Sequence, residues 1–335
     1  MLTAPAAETF PPHAPPRMRT LARVTRRLPS TTRSGDTSCV PFHRSTHRDH
    51  DAADLVHRKG DHTISVCLPA RDEESTVGTI VETIRSELME TVPLVDELIV
   101  VDDHSSDDTA AVARKAGAEV VDARTTLPEA TGPGKGQALW KSLHESTGDL
   151  VLWCDADIDH FGAHFVTGLV APLLDHPEVS FVKGTYARPL VGGDGGGRVT
   201  ELVARPILAN LFPELASIGQ PLAGEYGGRR RLLERLPFVD GYGVDIALLV
   251  DAARMVGIEG VAEVDLGERR HRNRTLDELG PQATAVLRAA LGRAGLEARP
   301  DHPVVLKRPG REPLLLSQHE LPPMIELSSY RRRSA

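Results

Sequence analysis

The chain has 335 residues, 40% hydrophobic and 26% charged, with a formal net charge of −8; this length allows one large domain or two smaller ones. No apolar run approaches the ~18 residues of a membrane helix, and no secretory-signal core is present, so a soluble protein without a membrane span is expected. The acidic balance argues against general nucleic-acid binding, which needs extended basic surface.

The first 48 residues stand apart, with eight Arg, seven Pro and two acidic residues. A segment of this kind buries too little apolar surface to offset its ordering entropy, so residues 1–60 are read as a disordered Arg/Pro-rich arm. Its Arg- and Ser/Thr-rich make-up also fits an organelle transit peptide, or a start site at Met18. Residues 1–48 carry +6 and leave −14 on the remainder. An anionic ligand would therefore need a local basic cluster or a metal. Cys39, Cys67 and Cys154 are widely spaced, which favours reduced thiols and a cytoplasmic setting over a disulfide or zinc site.

From residue 63 strands and helices alternate. TISVCLP (63–69) reads as a buried strand, 74–90 as a helix, ELIVVDD (97–103) as a strand, 107–117 as a helix and AEVVDA (118–123) as a strand. The loop ATGPGKG precedes a helix at 136–146, then the strand DLVLWCD, a helix near 162–174 and the strand VSFVKGTY. Strands separated by helices imply a mainly parallel α/β sheet with helices on both faces. Beyond a Gly-rich stretch (192–197), helices are predicted at 198–211, 243–257 and 276–293, with a short strand near 260–266. The chain after 298 has no clear period. The expected parts are 61–190 as a nucleotide-binding half, 191–297 as a second, smaller part, and 298–335 as an irregular tail.

Ligands of such sheets sit beyond the carboxyl ends of the strands, and three of those ends are polar: PARDEES, VDDHSSDDT and DADID. In DADID, carboxylates at i and i+2 share one side of an extended chain and suit Mg²⁺ or Mn²⁺, although an isolated pair of this kind is commonly a solvated turn. GPGKGQALW lacks Walker spacing; its glycines permit close backbone approach and Lys135 is its cation. GGDGGGRVTELVARP runs up to Arg198 and Thr200 at a helix start, where an anion is favoured, or it is a plain linker. GERRHRNRT (267–275) is a basic strip and the counter-pole of an acidic body. Glu225 and Asp245 lie in Gly-rich turns before helices, and an N-cap would explain Asp245 without chemistry.

Together LPARDEES, ELIVVDDHSSDDT and DADID resemble the GT-A nucleotide-sugar glycosyltransferases, whose fold is Rossmann-like. With GPGKGQALW, GGGRVTELVARP, QPLAGEYGGRR, GYGVDIALLVD and LGERRHRNR the likeness narrows to the retaining glucosyl-3-phosphoglycerate synthases of actinobacteria, over roughly residues 63–295. This resemblance implies Mg²⁺-dependent (or Mn²⁺-dependent) transfer of glucose from a nucleoside diphosphate, UDP-glucose foremost, to the 2-hydroxyl of D-3-phosphoglycerate. It places Pro69, Ala70, Arg71, Glu73 and Asp103 at the donor base. Lys135, Asp155, Ala156, Asp157 and Asp245 join the donor site, with Lys135 and Asp245 also catalytic, and the Leu222 backbone carbonyl faces the anomeric carbon. Asp157 and His271 would ligate the metal. Gly197, Arg198, Thr200, Arg269 and Asn273 would hold the acceptor, the region 191–297 becoming its binding half. A homodimer is implied too. Asp72, Asp103 and Asp245 stand where the family has Asn, Ser and Glu respectively. The shorter Asp245 leaves mannose or a GDP donor as an alternative; a sugar-phosphate nucleotidyltransferase or an inactive scaffold are more distant readings.

Overall fold

The computed structural model describes residues 42–128, 130, 132–190, 193–194, 197–269, 275–296 and 302–330. In chain order, β1 (His43–Thr46) and α1 (Ala52–Lys59) lead into β2 (Ile64–Ala70), α2 (Val77–Arg85), β3 (Glu97–Asp102), α3 (Thr109–Ala116) and β4 (Glu119–Asp122). Next come α4 (Lys135–Glu145), β5 (Leu150–Trp153), α5 (His164–Asp175), β6 (Phe181–Ala187) and the short pair β7 (Pro189–Leu190) and β8 (Gly193–Asp194). α6 (Arg205–Leu211), β9 (Tyr226–Arg229), α7 (Arg230–Leu233), β10 (Phe238–Val239), α8 (Val244–Val256), β11 (Val261–Glu268) and α9 (Leu276–Arg293) follow. The chain closes with β12 (Val304–Leu306), β13 (Leu314–Leu316) and β14 (Glu320–Leu321).

The main sheet has the order β1-β11-β6-β9-β5-β2-β3-β4. Its pairings are parallel except those of β9, which runs antiparallel to both β5 and β6. This is the mainly parallel GT-A architecture expected, with one antiparallel strand at its centre. The helical period is explicit in α2, which buries Val77, Ile80, Val81 and Ile84 at i, i+3, i+4 and i+7. The helix α3 stops at Gly117, whose φ of 104° terminates it in the left-handed conformation. One apolar cluster lies under α4, α8 and α9, and a second under α2, α3 and α5. In the first, Trp153 is fully buried, edge-on to Tyr226 and Phe238, and its Nε1 donates to Ser142 Oγ at 2.8 Å. A buried indole needs that acceptor.

Two expectations are corrected. The disordered arm read over residues 1–60 is too long: β1 and α1 lie within it. His43 pairs with Ala262 of β11, Asp51 caps α1, and Phe42 and Leu55 are buried. Two apolar anchors suffice there because the sheet edge supplies the backbone partners, and averaging over an Arg-rich segment hides them. Residues before 42 lie outside the described part. Second, Glu225 precedes a strand rather than a helix. The 191–297 part contributes β9 and β11 to the same sheet as β2–β6. Within the expected irregular tail, β12 pairs with β13 and β14 with β10. No helix among the described residues is long and apolar enough to cross a membrane.

Candidate active site

The topology brings distant segments to one edge of the sheet. The parallel strands β2, β3 and β5 end there, antiparallel β9 begins there, and β11 ends there. Asp155 and Asp157 therefore follow β5, Glu225 precedes β9, and Arg269 follows β11. The amino ends of α4 and α8 add Lys135 and Asp245. Asp245 is not the N-cap of α8: Gly243 takes that position, and Asp245 lies in the first turn, facing Lys135.

These groups form one ionic network. Lys135 Nζ lies 2.9 Å from Asp155 Oδ1 and 3.1 Å from Asp245 Oδ1. Arg269, almost wholly buried, donates from Nη2 to Asp155 Oδ2 at 2.9 Å and Asp157 Oδ1 at 2.6 Å, and from Nε to Glu225 Oε1 at 3.0 Å. Glu225 is fully buried and its Oε2 accepts no hydrogen bond among the described residues. Burial alone would raise the Asp155 carboxyl, but the Lys135 and Arg269 cations hold it well below the usual carboxylate range. Burial likewise disfavours charge on Lys135, and Asp155 and Asp245 outweigh it, keeping the ammonium above its ordinary range. Four carboxylates are thus bonded to two cations. The neighbouring carboxylates of Asp155 and Asp157 offer hard oxygen donors, a set that fits a divalent cation of the Mg²⁺ type.

A cavity of 140 Å³ opens on this network. Lys135, Asp155, Asp157, Asp245 and Arg269 line one side; Gly197, Arg198 and Thr200 line another, with Leu222 also in the wall. Gly197 adopts φ 76°, and residue 198 begins the helical turns that include a π-helical segment, Thr200–Ala204; such segments recur at functional sites. Pro69, Ala70, Arg71, Glu73 and Asp103 share the same sheet edge but do not line this cavity. Asp103 connects to it indirectly, accepting from Gly134 N at 2.9 Å immediately before Lys135. Ala156 is buried, its carbonyl accepting from Thr76 Oγ1 at 2.6 Å, and Asp159 is exposed. His271 and Asn273 lie outside the described residues.

One local reading changes. Two of the three glycines of GPGKG approach the protein's own backbone: a Cβ on Gly134 or Gly136 would collide with the carbonyl oxygens of Asp240 or Val239. Arg269 donates to three carboxylates, those of Asp155, Asp157 and Glu225. Sequence reasoning also missed Arg188, Tyr242 and Lys183. Arg188 and Tyr242 line the cavity. Lys183, fully buried in β6, donates to Ala223 O at 2.9 Å and Asp245 O at 3.4 Å, with its ammonium 4.0 Å from the Tyr226 ring centroid. Its position inside an apolar strand, VSFVKGTY, was the available signal: a charge placed there demands a reason. Cys67 and Cys154 are buried free thiols, and burial pushes Cys67 up to about 12.

Residues 65–221 match the profile of Glycosyl transferase family 2. The chain is 41% identical over 309 residues to the glucosyl-3-phosphoglycerate synthase of Petrotoga mobilis, covering 87% of this chain and 95% of that protein. It is 50% identical over 250 residues to the enzyme of the same name from Mycolicibacterium smegmatis, covering 73% and 82%. A crystal structure of the Mycobacterium tuberculosis glucosyl-3-phosphoglycerate synthase, in complex with Mn²⁺, UDP-glucose and phosphoglyceric acid, superposes with a TM-score of 0.78 at 42% identity, covering 85% and 98%. A structure of the same protein with Mg²⁺ and UDP gives 0.77.

Proposed function

The chain belongs to the glucosyl-3-phosphoglycerate synthases, a family of glycosyltransferases, and we propose that it moves glucose from UDP-glucose to the 2-hydroxyl of D-3-phosphoglycerate with retention at the anomeric carbon. The observation that carries this reading is the single cavity, in which the Lys135–Asp155–Asp157–Asp245 network meets Arg198 and Thr200.

In this reading the 61–190 region holds the donor, with Pro69, Ala70, Arg71, Glu73 and Asp103 around the base, and the 191–297 region holds the acceptor. Asp157, with His271, binds Mg²⁺ or Mn²⁺, as the fit of the oxygen-rich network supports. The metal, when bound, offsets charge developing on the leaving diphosphate. Lys135 fixes the carboxylates of Asp155 and Asp245 against each other. Arg198, with Gly197, Thr200 and Asn273, orients the acceptor's anionic groups. Glu225 is buried against Arg269 and Asp245 is ion-paired to Lys135, so neither stands as a free nucleophile of the kind retaining glycosidases use. Front-face attack follows: the acceptor oxygen bonds the anomeric carbon as the carbon–phosphate oxygen bond breaks. The departing phosphate accepts the hydroxyl proton, while the Leu222 carbonyl faces the reacting carbon. The working form is a cytoplasmic homodimer, a setting in which Cys67 and Cys154 stay reduced.

Purified chain with Mg²⁺, UDP-glucose and 3-phosphoglycerate should release UDP and form glucosyl-3-phosphoglycerate. A donor-by-acceptor matrix in which mannose or GDP donors dominate would replace the glucose assignment. Pyrophosphate exchange with UTP would indicate a nucleotidyltransferase, and a trapped glucosyl-enzyme on Glu225 or Asp245 would overturn front-face attack.

A further inference from the structure

We propose that His43, His176 and Glu178 form a second metal site, selective for Zn²⁺ over Mg²⁺, on the opposite edge of the sheet from the transfer centre. His43 opens β1, which is parallel to β11, and the turn carrying His176 and Glu178 leads into the start of β6. All three therefore lie at the amino ends of these strands, whereas the ionic network lies beyond their carboxyl ends.

The geometry is that of a partly assembled coordination shell. One ligand atom from each of the three residues lies within 4.8 Å of the others. His43 Nε2 is 3.0 Å and His176 Nδ1 is 3.6 Å from the same oxygen, Glu178 Oε1. Tetrahedral zinc with bonds of ~2.0–2.1 Å separates its ligand atoms by about 3.3 Å, a value these two distances bracket. The imidazoles are stacked with centroids 4.2 Å apart and planes 30° apart, so binding an ion would require one ring to turn and bring its in-plane lone pair onto the shared position. Each side chain is one-third to one-half exposed, which leaves the remaining coordination position to water.

The ligands are also held in place by independent backbone restraints. His43 is registered against Ala262 in the sheet. The turn is pinned by Arg229, which donates from Nε to Val179 O at 2.8 Å and from Nη2 to Leu173 O at 2.6 Å and His176 O at 3.3 Å. Val179 N closes the turn onto His176 O at 2.9 Å. Two imidazoles and one carboxylate suit Zn²⁺; Mg²⁺ prefers an all-oxygen shell. An ion there would tie the edge strand β1 to the α5–β6 turn and so fasten the first described strand to the rest of the sheet.

Zinc affinity of the full chain is measured by competition with a chromogenic chelator in excess Mg²⁺, with thermal unfolding followed in parallel. The wild type and Asp157→Ala should each bind one equivalent, and Zn²⁺ should raise their unfolding midpoints. His43→Ala, His176→Ala and the exposed-ligand variant Glu178→Gln should bind at least tenfold more weakly and lose the thermal response. His43→Ala should keep its Mg²⁺-supported transfer activity. Wild-type zinc binding that is absent, or that survives unchanged in His43→Ala and Glu178→Gln, overturns the proposal. Loss of the same equivalent in Asp157→Ala also overturns it, because the ion would then belong to the transfer centre.

Discussion

Arg269 Nη2 donates to Asp157 Oδ1 at 2.6 Å across 112 positions of sequence. The carboxylate read as the metal ligand is therefore aimed by a residue read as an acceptor contact. The same guanidinium reaches Glu225 and Asp155, so the position of Asp157 depends on groups brought in by β5, β9 and β11.

Asp157→Ala should lower Mg²⁺-supported transfer by roughly 10²–10³-fold, the scale seen when a group stabilising developing charge is lost. Its unfolding midpoint should stay near that of the wild type, since Arg269 keeps two other carboxylate partners. UDP release and circular dichroism measure the two effects; wild-type activity would remove Asp157 from the metal shell.

Arg198→Ala should raise the KM for 3-phosphoglycerate about tenfold to a hundredfold, the value of one charge-assisted hydrogen bond. The KM for UDP-glucose should change little. Initial rates against each substrate decide this, and equal rises for both would move Arg198 away from the acceptor.

Arg269→Met leaves Glu225 fully buried and unpaired, a change that typically costs ~3–5 kcal/mol. Adding Glu225→Gln should recover part of that loss in urea unfolding. Arg269→Lys should not substitute, because a point ammonium cannot present Nε and Nη2 to separate carboxylates. Full stability in Arg269→Lys would contradict this account.

Lys183 provides a pH test. Burial pushes its ammonium down to about 8, from an ordinary 10.5, against the opposing pull of Asp245. Between these values the unfolded chain binds a proton that the folded chain has released, so stability rises with pH in that window. Below pH 8 both states are protonated and the cost of burying the charge is fully present. The urea midpoint of the wild type should therefore gain on that of Lys183→Met from pH 8 to 10.5, and a constant difference would refute the assignment.

The elements with strong periodicity were legible. LIVV in β3, the i, i+3, i+4 spacing of α2 and the polar strand ends gave the sheet and its functional edge. Asp155, Asp157, Lys135 and Arg198 stand out because each sits beside such an end or a helix start, whereas position alone left Asp245 open and the family resemblance singled it out. What escaped notice depends on pairing in space. β9 is four residues, Tyr-Gly-Gly-Arg, with little intrinsic β preference, and it exists because β5 and β6 flank it. β1 is short and polar, and its partner β11 lies more than 200 residues away. The roles of Arg269 and Lys183 are set by which carboxylates and carbonyls surround them, and no local spacing reports that.

The central place of β9 bears on how the chain can be divided. The segment matching the glycosyltransferase profile ends at residue 221, before β9 is reached. A fragment cut there would carry β5 and β6 with their facing edges bare, each offering unpaired amides and carbonyls to any other strand. During synthesis β5 and β6 precede β9 and β11 follows it, so the middle of the sheet cannot close before residue 229 has emerged. The matched segment therefore lacks β9 and β11, two strands of the main sheet. A truncation at 221 should aggregate, even though every residue of the matched segment is present.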